Sequence, residues 1–418
     1  MLLSIVSNYY LGLAIDNTLH TNKHRRLFFI VAVIFNLSLL GIFKYSNFII
    51  GNLNIFSNLL SLPEIHILNI SLPIGISFYT FQALSYIFDL YRKEIHANDN
   101  IFELGLYITL FPQLIAGPIV RYQDIQNEIR FRKSIDIVNF KEGIERFIIG
   151  LSKKVLLANT LGSFADSVFN LETMDLNFSL AWVGVLSYTL QIYFDFSGYS
   201  CMAIGLGKML GFTFLENFNY PYIASSIKDF WHRWHISLST WFKDYLYIPL
   251  GGNRLGIARE NINKSIVFIL CGLWHGASWS FVIWGAYHGM LQLLETIPYF
   301  KSIRKKTPKI VNIMITFLLV AFGWVLFRSD SMEQAKDIYI AMFNIFNFRA
   351  TSYLTIPASA IIALFFGTIA MIPWLNYIPG LLKIRKNALF SLVFLFLFIL
   401  DSLFLASSTY NPFIYFRF

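Results

Sequence analysis

The chain has 418 residues, of which 56% are hydrophobic, 18% aromatic and 14% charged, and Phe alone fills 43 positions. Soluble domains carry about 25% charged residues, so the 33 basic and 24 acidic side chains here cannot cover a water-exposed surface, and an ordinary soluble enzyme is excluded. The net charge of +9 is therefore read by where the basic residues fall relative to apolar runs, not as affinity for nucleic acid. Two cysteines, Cys201 and Cys271, both in apolar stretches, exclude a disulfide framework and a four-thiolate metal site.

Apolar runs of bilayer length lie near 27–43, 70–91, 178–195, 276–295, 310–327, 352–373 and 388–406. Shorter runs near 2–15, 103–120, 144–160, 199–215, 236–251 and 264–274 are interrupted by Gly, Pro or charge, as expected of tilted, re-entrant or interfacial segments. Together they predict an all-α, polytopic membrane protein with roughly nine to twelve embedded helices. Residues 2–15 lack a basic flank and a small-residue cleavage site, so they do not read as a signal peptide. Basic clusters at Lys23, Arg25 and Arg26, at Arg130, Arg132 and Lys133, at Lys301, Arg304, Lys305, Lys306 and Lys309, and at Lys383, Arg385 and Lys386 mark the inner face. The segment 166–177, acidic and free of Lys and Arg, reads as outer. No internal repeat is visible, which weighs against an inverted-repeat transporter.

Two acids sit inside apolar runs. Asp89 lies near a span end beside Arg92, where a local ion pair is expected. Asp195, with Gln191 four residues earlier on the same helical face, is expected to bind a neighbouring helix or line a polar path. Between them, FPQLIAGPIVRY places Pro112, Gly117 and Pro118 ahead of Arg121, which predicts a broken helix whose freed backbone groups need partners inside the protein.

The composition changes between Asn217 and Arg254, where three Trp and two His mix with charges of both signs. This pattern suits an amphipathic interfacial helix or a re-entrant helix beside a polar cavity. His232 and His235 are three residues apart and are expected on one helical face, His232 in an interfacial structural role and His235 in a functional one. G-x-G at Gly205 and Gly207, and Gly251 with Gly252, lack the context of a phosphate loop.

Further on, His275 stands in the apolar stretch CGLWHGASWSFVIWGAYHG. An ionisable side chain at membrane depth is a functional hypothesis by default, and a desolvated, neutral imidazole suits a general base. A hydrogen-bonded helix contact is the alternative. Gly272 and Gly276 beside it would admit a neighbouring backbone or a ligand. His288, nearer the basic end, is assigned a structural role. The spacing of His232, His235 and His275 matches no standard zinc signature, so no metal is expected. No G-x-S-x-G elbow is present for a serine hydrolase.

Taken in order, LPIGISFYTFQALSYIFDLYR, FPQLIAGPIVRY, YFDFSGYSCMAIGLGKMLG, NFNYPYIASSIKDFWHRWHISLSTWFKDYLYIPLGGNR, LWHGASWSFVIWGAYHG and FGWVLFRS resemble the membrane-bound O-acyltransferase family. The closer likeness is to its bacterial branch of alginate and peptidoglycan O-acetyltransferase membrane components. It runs from about residue 5 to the C-terminal NPFIYFRF. The resemblance implies one transmembrane domain over residues 1–418, with helices around a central tunnel and a catalytic core at about 70–297. Family members begin with further spans before the segment matching YYLGLAIDNTLH, so the chain is expected to be short at its N-terminus.

The resemblance further implies His275 as the catalytic residue and His235 as the second polar residue of the site. Acetyl-CoA would enter from the cytosol, its phosphates met by Arg233, Lys243 and Arg254, and a hydroxyl acceptor from the other side. The expected setting is a bacterial cytoplasmic (inner) membrane. The expected partners are membrane lipid and either an extracytoplasmic SGNH-type transferase or the polysaccharide itself, with no nucleic acid. Two rivals stay open: an acyl transferase fed by a carrier protein, such as a D-alanyl transferase, and a transporter or channel with no acyl-transfer chemistry.

Overall fold

The computed structural model describes residues 1–17, 21–68, 70–115, 117–131, 136–346, 354–373, 388–407 and 410, the side chains of 388–390 excepted. Every regular element among them is helical. The helices are α1 (Leu2–Asp16), α2 (Asn22–Leu40), α3 (Ser46–Leu59), α4 (Ile76–Arg92), α5 (Ile101–Thr109), α6 (Phe111–Leu114), α7 (Tyr122–Arg130), α8 (Ile137–Ser152), α9 (Thr160–Phe169), α10 (Phe178–Met209), α11 (Ile227–Arg233), α12 (Ile236–Phe242), α13 (Ile257–His275), α14 (Trp279–Thr296), α15 (Pro298–Lys306), α16 (Lys309–Arg328), α17 (Met332–Phe343), α18 (Ala358–Ala370) and α19 (Ala388–Ser407). Of the segments singled out above, Arg132, Lys133, Lys383, Arg385, Lys386 and 411–418 lie outside the described residues.

The burial pattern is that of a protein in lipid. Phe365, Phe366, Leu392 and Phe396 are exposed, whereas Asn8, Asn36, Gln82, Asp89 and Asp195 are buried. Polar groups at membrane depth turn inward to find one another. Asn8 and Asn36, for instance, exchange amide hydrogen bonds of 3.0 and 2.7 Å between α1 and α2.

Two helical stretches among the described residues are long and apolar enough by themselves to cross a bilayer, Asn22–Leu59 and Lys309–Arg328, and three shorter apolar helices accompany them. The other embedded helices carry inward-facing polar residues or are broken. Several boundaries differ from expectation. The run at 27–43 belongs to a longer helical stretch in which α2 passes through a π-helical turn, Gly41–Tyr45, into α3. The run at 70–91 is helical only from Ile76, because Pro73 and Gly75, the latter at φ +74°, keep the preceding residues irregular. The runs at 178–195 and 199–215 join in the single helix α10, 32 residues long, since nothing between them removes a backbone donor. As expected, the helix at 103–120 is broken: α5 ends at Thr109, α6 lasts four residues, and the chain stays irregular to Arg121.

α8 and α10 pack with their backbones in contact through glycines seven residues apart on each. A Cβ on Gly150 would stand 2.5 Å from the Gly198 carbonyl oxygen, and one on Gly205 2.6 Å from that of Gly143, the close approach that small residues permit in membranes. Next to this seam, Asp195 of α10 pairs with Lys154 at 2.6 Å. Lys154 belongs to a π-helical turn, Lys153–Asn159, so Asp195 binds a neighbouring helical segment, the first of the two roles expected of it. Asp89 departs from expectation. It accepts a 2.8 Å hydrogen bond from Tyr245, while Arg92 donates to the Asp244 carbonyl at 2.7 Å.

Candidate functional site

α11 and α12 are separate helices joined by a reversal, so His232 and His235 do not share a helical face. His232 is exposed at the end of α11, its Nδ1 2.6 Å from the Lys228 carbonyl oxygen. His235 is the N-cap of α12, is buried, and has φ +44°, a left-handed conformation that a side chain other than glycine adopts only when its surroundings hold it there. The surroundings here are the NFNY segment. Asn217 accepts from the Ser237 backbone N–H at 3.0 Å and from its hydroxyl at 2.9 Å, and its carbonyl oxygen accepts from Ile236 N–H at 2.9 Å. Ser237 Oγ in turn accepts from Ile119 N–H at 2.9 Å, which ties the broken FPQLIAGPIVRY segment to α12.

His275 ends α13 and is 2% exposed. Its ring lies against Trp274, Trp284 and Phe327 at centroid distances of 4.9, 5.3 and 5.1 Å. The His235 ring also lies against Trp274, at 6.2 Å, so one indole touches both imidazoles that the resemblance pairs. No protein group among the described residues bonds His275 Nδ1. Its glycine neighbours serve packing: a Cβ on Gly285 of α14 or on Gly272 of α13 would strike the facing helix backbone, and one on Gly276 would strike the Phe281 ring. The neighbour admitted is thus protein, not ligand.

The end of α13 leaves carbonyls that need donors. Lys44 Nζ donates to the Trp274 carbonyl at 2.5 Å, to the His275 carbonyl at 3.1 Å and to Ser77 Oγ at 3.3 Å, and the Tyr45 hydroxyl donates to the Leu273 carbonyl at 2.7 Å. Both donors come from the π-helical turn at Gly41–Tyr45, a local widening often found at functional places. Lys44 was not singled out from the sequence, although a lone lysine at the end of an apolar run is a signal that would have found it.

A cavity of about 850 Å³ opens beside this helix. Glu260, Lys264, Phe268 and Cys271 mark its course along α13. From Glu260 to Cys271 is eleven residues, about 16 Å at about 1.5 Å each. Cys271 stands one helical turn before His275. On its walls, Lys264 pairs with Glu260 at 2.6 Å and Arg304 with Glu295 at 3.2 Å. Lys228, Lys243, Arg254 and Lys301 also line the cavity and have no acidic partner among the described residues. Of the three cations singled out from the sequence, Lys243 and Arg254 face this cavity. Arg233 does not: it pairs with Asp229 at 2.8 Å and donates to the Asn219 carbonyl at 3.3 Å. Lys228 and Lys301 were missed because their convergence on one space depends on how α11 and α15 pack. Among the described residues no three His, Cys, Asp or Glu side chains group as metal ligands.

A family model described as membrane-bound O-acyltransferase matches residues 2–332. The chain is 44% identical over 342 residues to the protein named "Probable alginate O-acetylase AlgI" in Pseudomonas aeruginosa, covering 81% of this chain and 64% of that protein. It is 39% identical over 433 residues to the protein of the same name in Pseudomonas putida, covering 98% and 88%. To the "Peptidoglycan O-acetyltransferase" of Helicobacter pylori it is 38% identical over 368 residues, covering 81% and 68%. The chain thus spans about two thirds of the length of two of these relatives and most of the third. With matching motifs over most of its length and an all-helical fold that turns polar residues inward, the chain belongs to the membrane-bound O-acyltransferase family.

Proposed function

We propose that this protein is a membrane O-acetyltransferase that moves an acetyl group from acetyl-CoA to a hydroxyl acceptor used in O-acetylation of an envelope polysaccharide. The observation that carries the reading is one cavity lined both by Lys228, Lys243, Arg254 and Lys301 and by Cys271, one turn from His275. A phosphate-bearing donor with a long, slender arm matches a lining that combines these cations with Trp231, Leu238, Phe268 and Cys271. The relatives' names supply the reaction class and the glycan type.

In this reading the diphosphate and ribose phosphate of acetyl-CoA lie among the unmatched cations, and the pantetheine arm runs along α13 toward His275. His275 accepts the proton of the acceptor hydroxyl as its oxygen adds to the thioester carbon. The tetrahedral adduct collapses, the carbon–sulfur bond breaks, and the departing thiolate takes the proton back from the imidazolium. A positioned base contributes about 10²- to 10⁴-fold, and holding both substrates in one site adds a proximity contribution. His235, across Trp274, orients the acceptor. By the positive-inside rule the mouth near Lys301 and Arg304 faces the cytosol of a bacterial cytoplasmic membrane. The acceptor, a glycan hydroxyl or that of an extracytoplasmic transferase, then approaches from the opposite face.

The test uses the purified full chain in lipid nanodiscs, with radiolabelled acetyl-CoA and an alginate oligosaccharide or a peptidoglycan fragment as acceptor. His275→Ala is expected to lower the transfer rate by about 10²- to 10⁴-fold with the thermal unfolding midpoint retained. Wild-type rates in a folded His275→Ala preparation would refute the assignment.

A further inference from the structure

Behind the cavity wall lies a group of buried polar atoms for which the proton transfer above has no use. Trp231 lines the cavity. Its ring, that of Trp284 and that of His288 form a closed triangle, with centroid separations of 5.8 Å for Trp231–Trp284, 5.2 Å for Trp231–His288 and 5.0 Å for Trp284–His288. The three side chains belong to residues 7%, 1% and 0% exposed. Neither indole N–H and neither ring nitrogen of His288 has a hydrogen-bond partner among the described residues.

Other tryptophans of the fold are treated differently. Trp182, Trp241 and Trp274 donate to the backbone carbonyls of Met342, Phe81 and Ser77, and Trp324 donates to the Tyr222 hydroxyl. Leaving a buried donor unpaired is unfavourable, most of all where water has little access. Here three residues in mutual contact all do so, and one of them, Trp231, lines the cavity. The fold also makes room for the third of them. A Cβ on Gly323 would stand 2.7 Å from His288 Nε2, so only glycine there admits the imidazole in this position.

The chemistry of the ligand follows from the donor set. An indole nitrogen donates and cannot accept, so the partner must offer an acceptor oxygen. Trp284 touches both His288 at 5.0 Å and His275 at 5.3 Å, so a single ring connects the donor set to the base. We infer that Trp231, Trp284 and His288 hold the carbonyl oxygen of the transferred acyl group, making His288 a catalytic residue alongside His275. This rests on the acetyl-transfer reading above. As the acceptor hydroxyl adds to the thioester carbon, the carbonyl electron pair moves onto that oxygen. The two indole N–H groups and an imidazole N–H stabilise the charge until the thiolate leaves.

Trp231→Phe and Trp284→Phe each delete one donor and keep a ring in place. In the nanodisc assay each is expected to lower kcat by about 10²-fold while KM for acetyl-CoA changes less than about threefold. The thermal midpoint should stay level or rise, because an unpaired buried donor has been removed. A merely structural role predicts the reverse pair of results. His288→Asn, which retains a donor, should keep more activity than His288→Leu. If wild type is active, His275→Ala is dead, and both Phe variants keep kcat within about twofold of wild type, the donor set is overturned while the base assignment stands. If wild type transfers no acetyl group, the reading beneath it falls instead.

Discussion

Lys44 and His275, 231 residues apart in the chain, are joined by a 3.1 Å hydrogen bond from the ammonium to the backbone carbonyl that ends α13. The same ammonium reaches the Trp274 carbonyl at 2.5 Å. A cation at a helix C-terminus meets the negative end of the helix dipole, and here it also fixes the backbone from which the imidazole projects. Lys44→Met is expected to cost about 2 kcal/mol of stability. It should lower acetyl transfer about tenfold by loosening the last turn of α13. Thermal unfolding in nanodiscs and the radiolabel assay measure the two effects separately, and an unchanged rate would mean that the cap does not position His275.

The unmatched cations of the cavity make a prediction about binding rather than chemistry. Lys243→Gln and Arg254→Gln each remove a charge-assisted contact worth about 1.5 to 3 kcal/mol, so KM for acetyl-CoA should rise about tenfold or more per substitution with kcat retained. Added salt should raise the wild-type KM and have less effect on the double variant. Arg233→Gln, whose native side chain is committed to Asp229, serves as the control and should leave KM near the wild-type value. Equal KM effects at all three positions would show that the cavity does not select its phosphates through these side chains.

Both cysteines are buried, but Cys271 lines the cavity and Cys201 lies outside it beside Lys153, with Nζ to Sγ at 3.5 Å. A small thiol reagent entering through the cavity should therefore modify Cys271 first. Saturating CoA should slow this modification about tenfold or more if the pantetheine arm passes α13. Mass spectrometry of the labelled chain checks both the site and the protection. Protection of Cys201 alone would place the donor elsewhere.

The buried Lys154–Asp195 pair, at 2.6 Å, should be far more sensitive to removal of one partner than of both. Deleting one member of a buried pair costs about 3 to 5 kcal/mol because the other charge is stranded. Asp195→Asn or Lys154→Met is accordingly expected to reduce folded yield sharply, while the double variant recovers much of it. A double-mutant cycle read by thermal unfolding gives the coupling directly.

Much of this was legible in the linear chain. The scarcity of charge placed it in lipid, the ordered motifs placed it in its family, and His275 stood out because an imidazole in so apolar a stretch has few innocuous explanations. Pro112, Gly117 and Pro118 also announced the broken helix, since a missing donor and a missing Cβ act locally. Periodicity misled where tertiary contacts overrode it. His232 and His235 have helical spacing, yet His235 itself takes a left-handed conformation beside residues bonded to Asn217. Asp195 has the position of a residue that binds a neighbouring helix, but that its partner is Lys154 depends on how the helices pack.

Composition and local pattern by themselves thus determined the solvent, the helical class and the family, and singled out His275 for the proposal, because each of these depends on side-chain chemistry or on a few adjacent residues. Only the tertiary structure decided that Lys44 caps the helix of His275 and that cations from α11, the α12–α13 segment and α15 share one cavity. It alone showed that His288, which looked like packing, carries two nitrogens without a partner among the described residues, in contact with Trp231 and Trp284. Those facts are distances between residues far apart in sequence. In an apolar medium they are set by where buried polar groups find partners, or fail to.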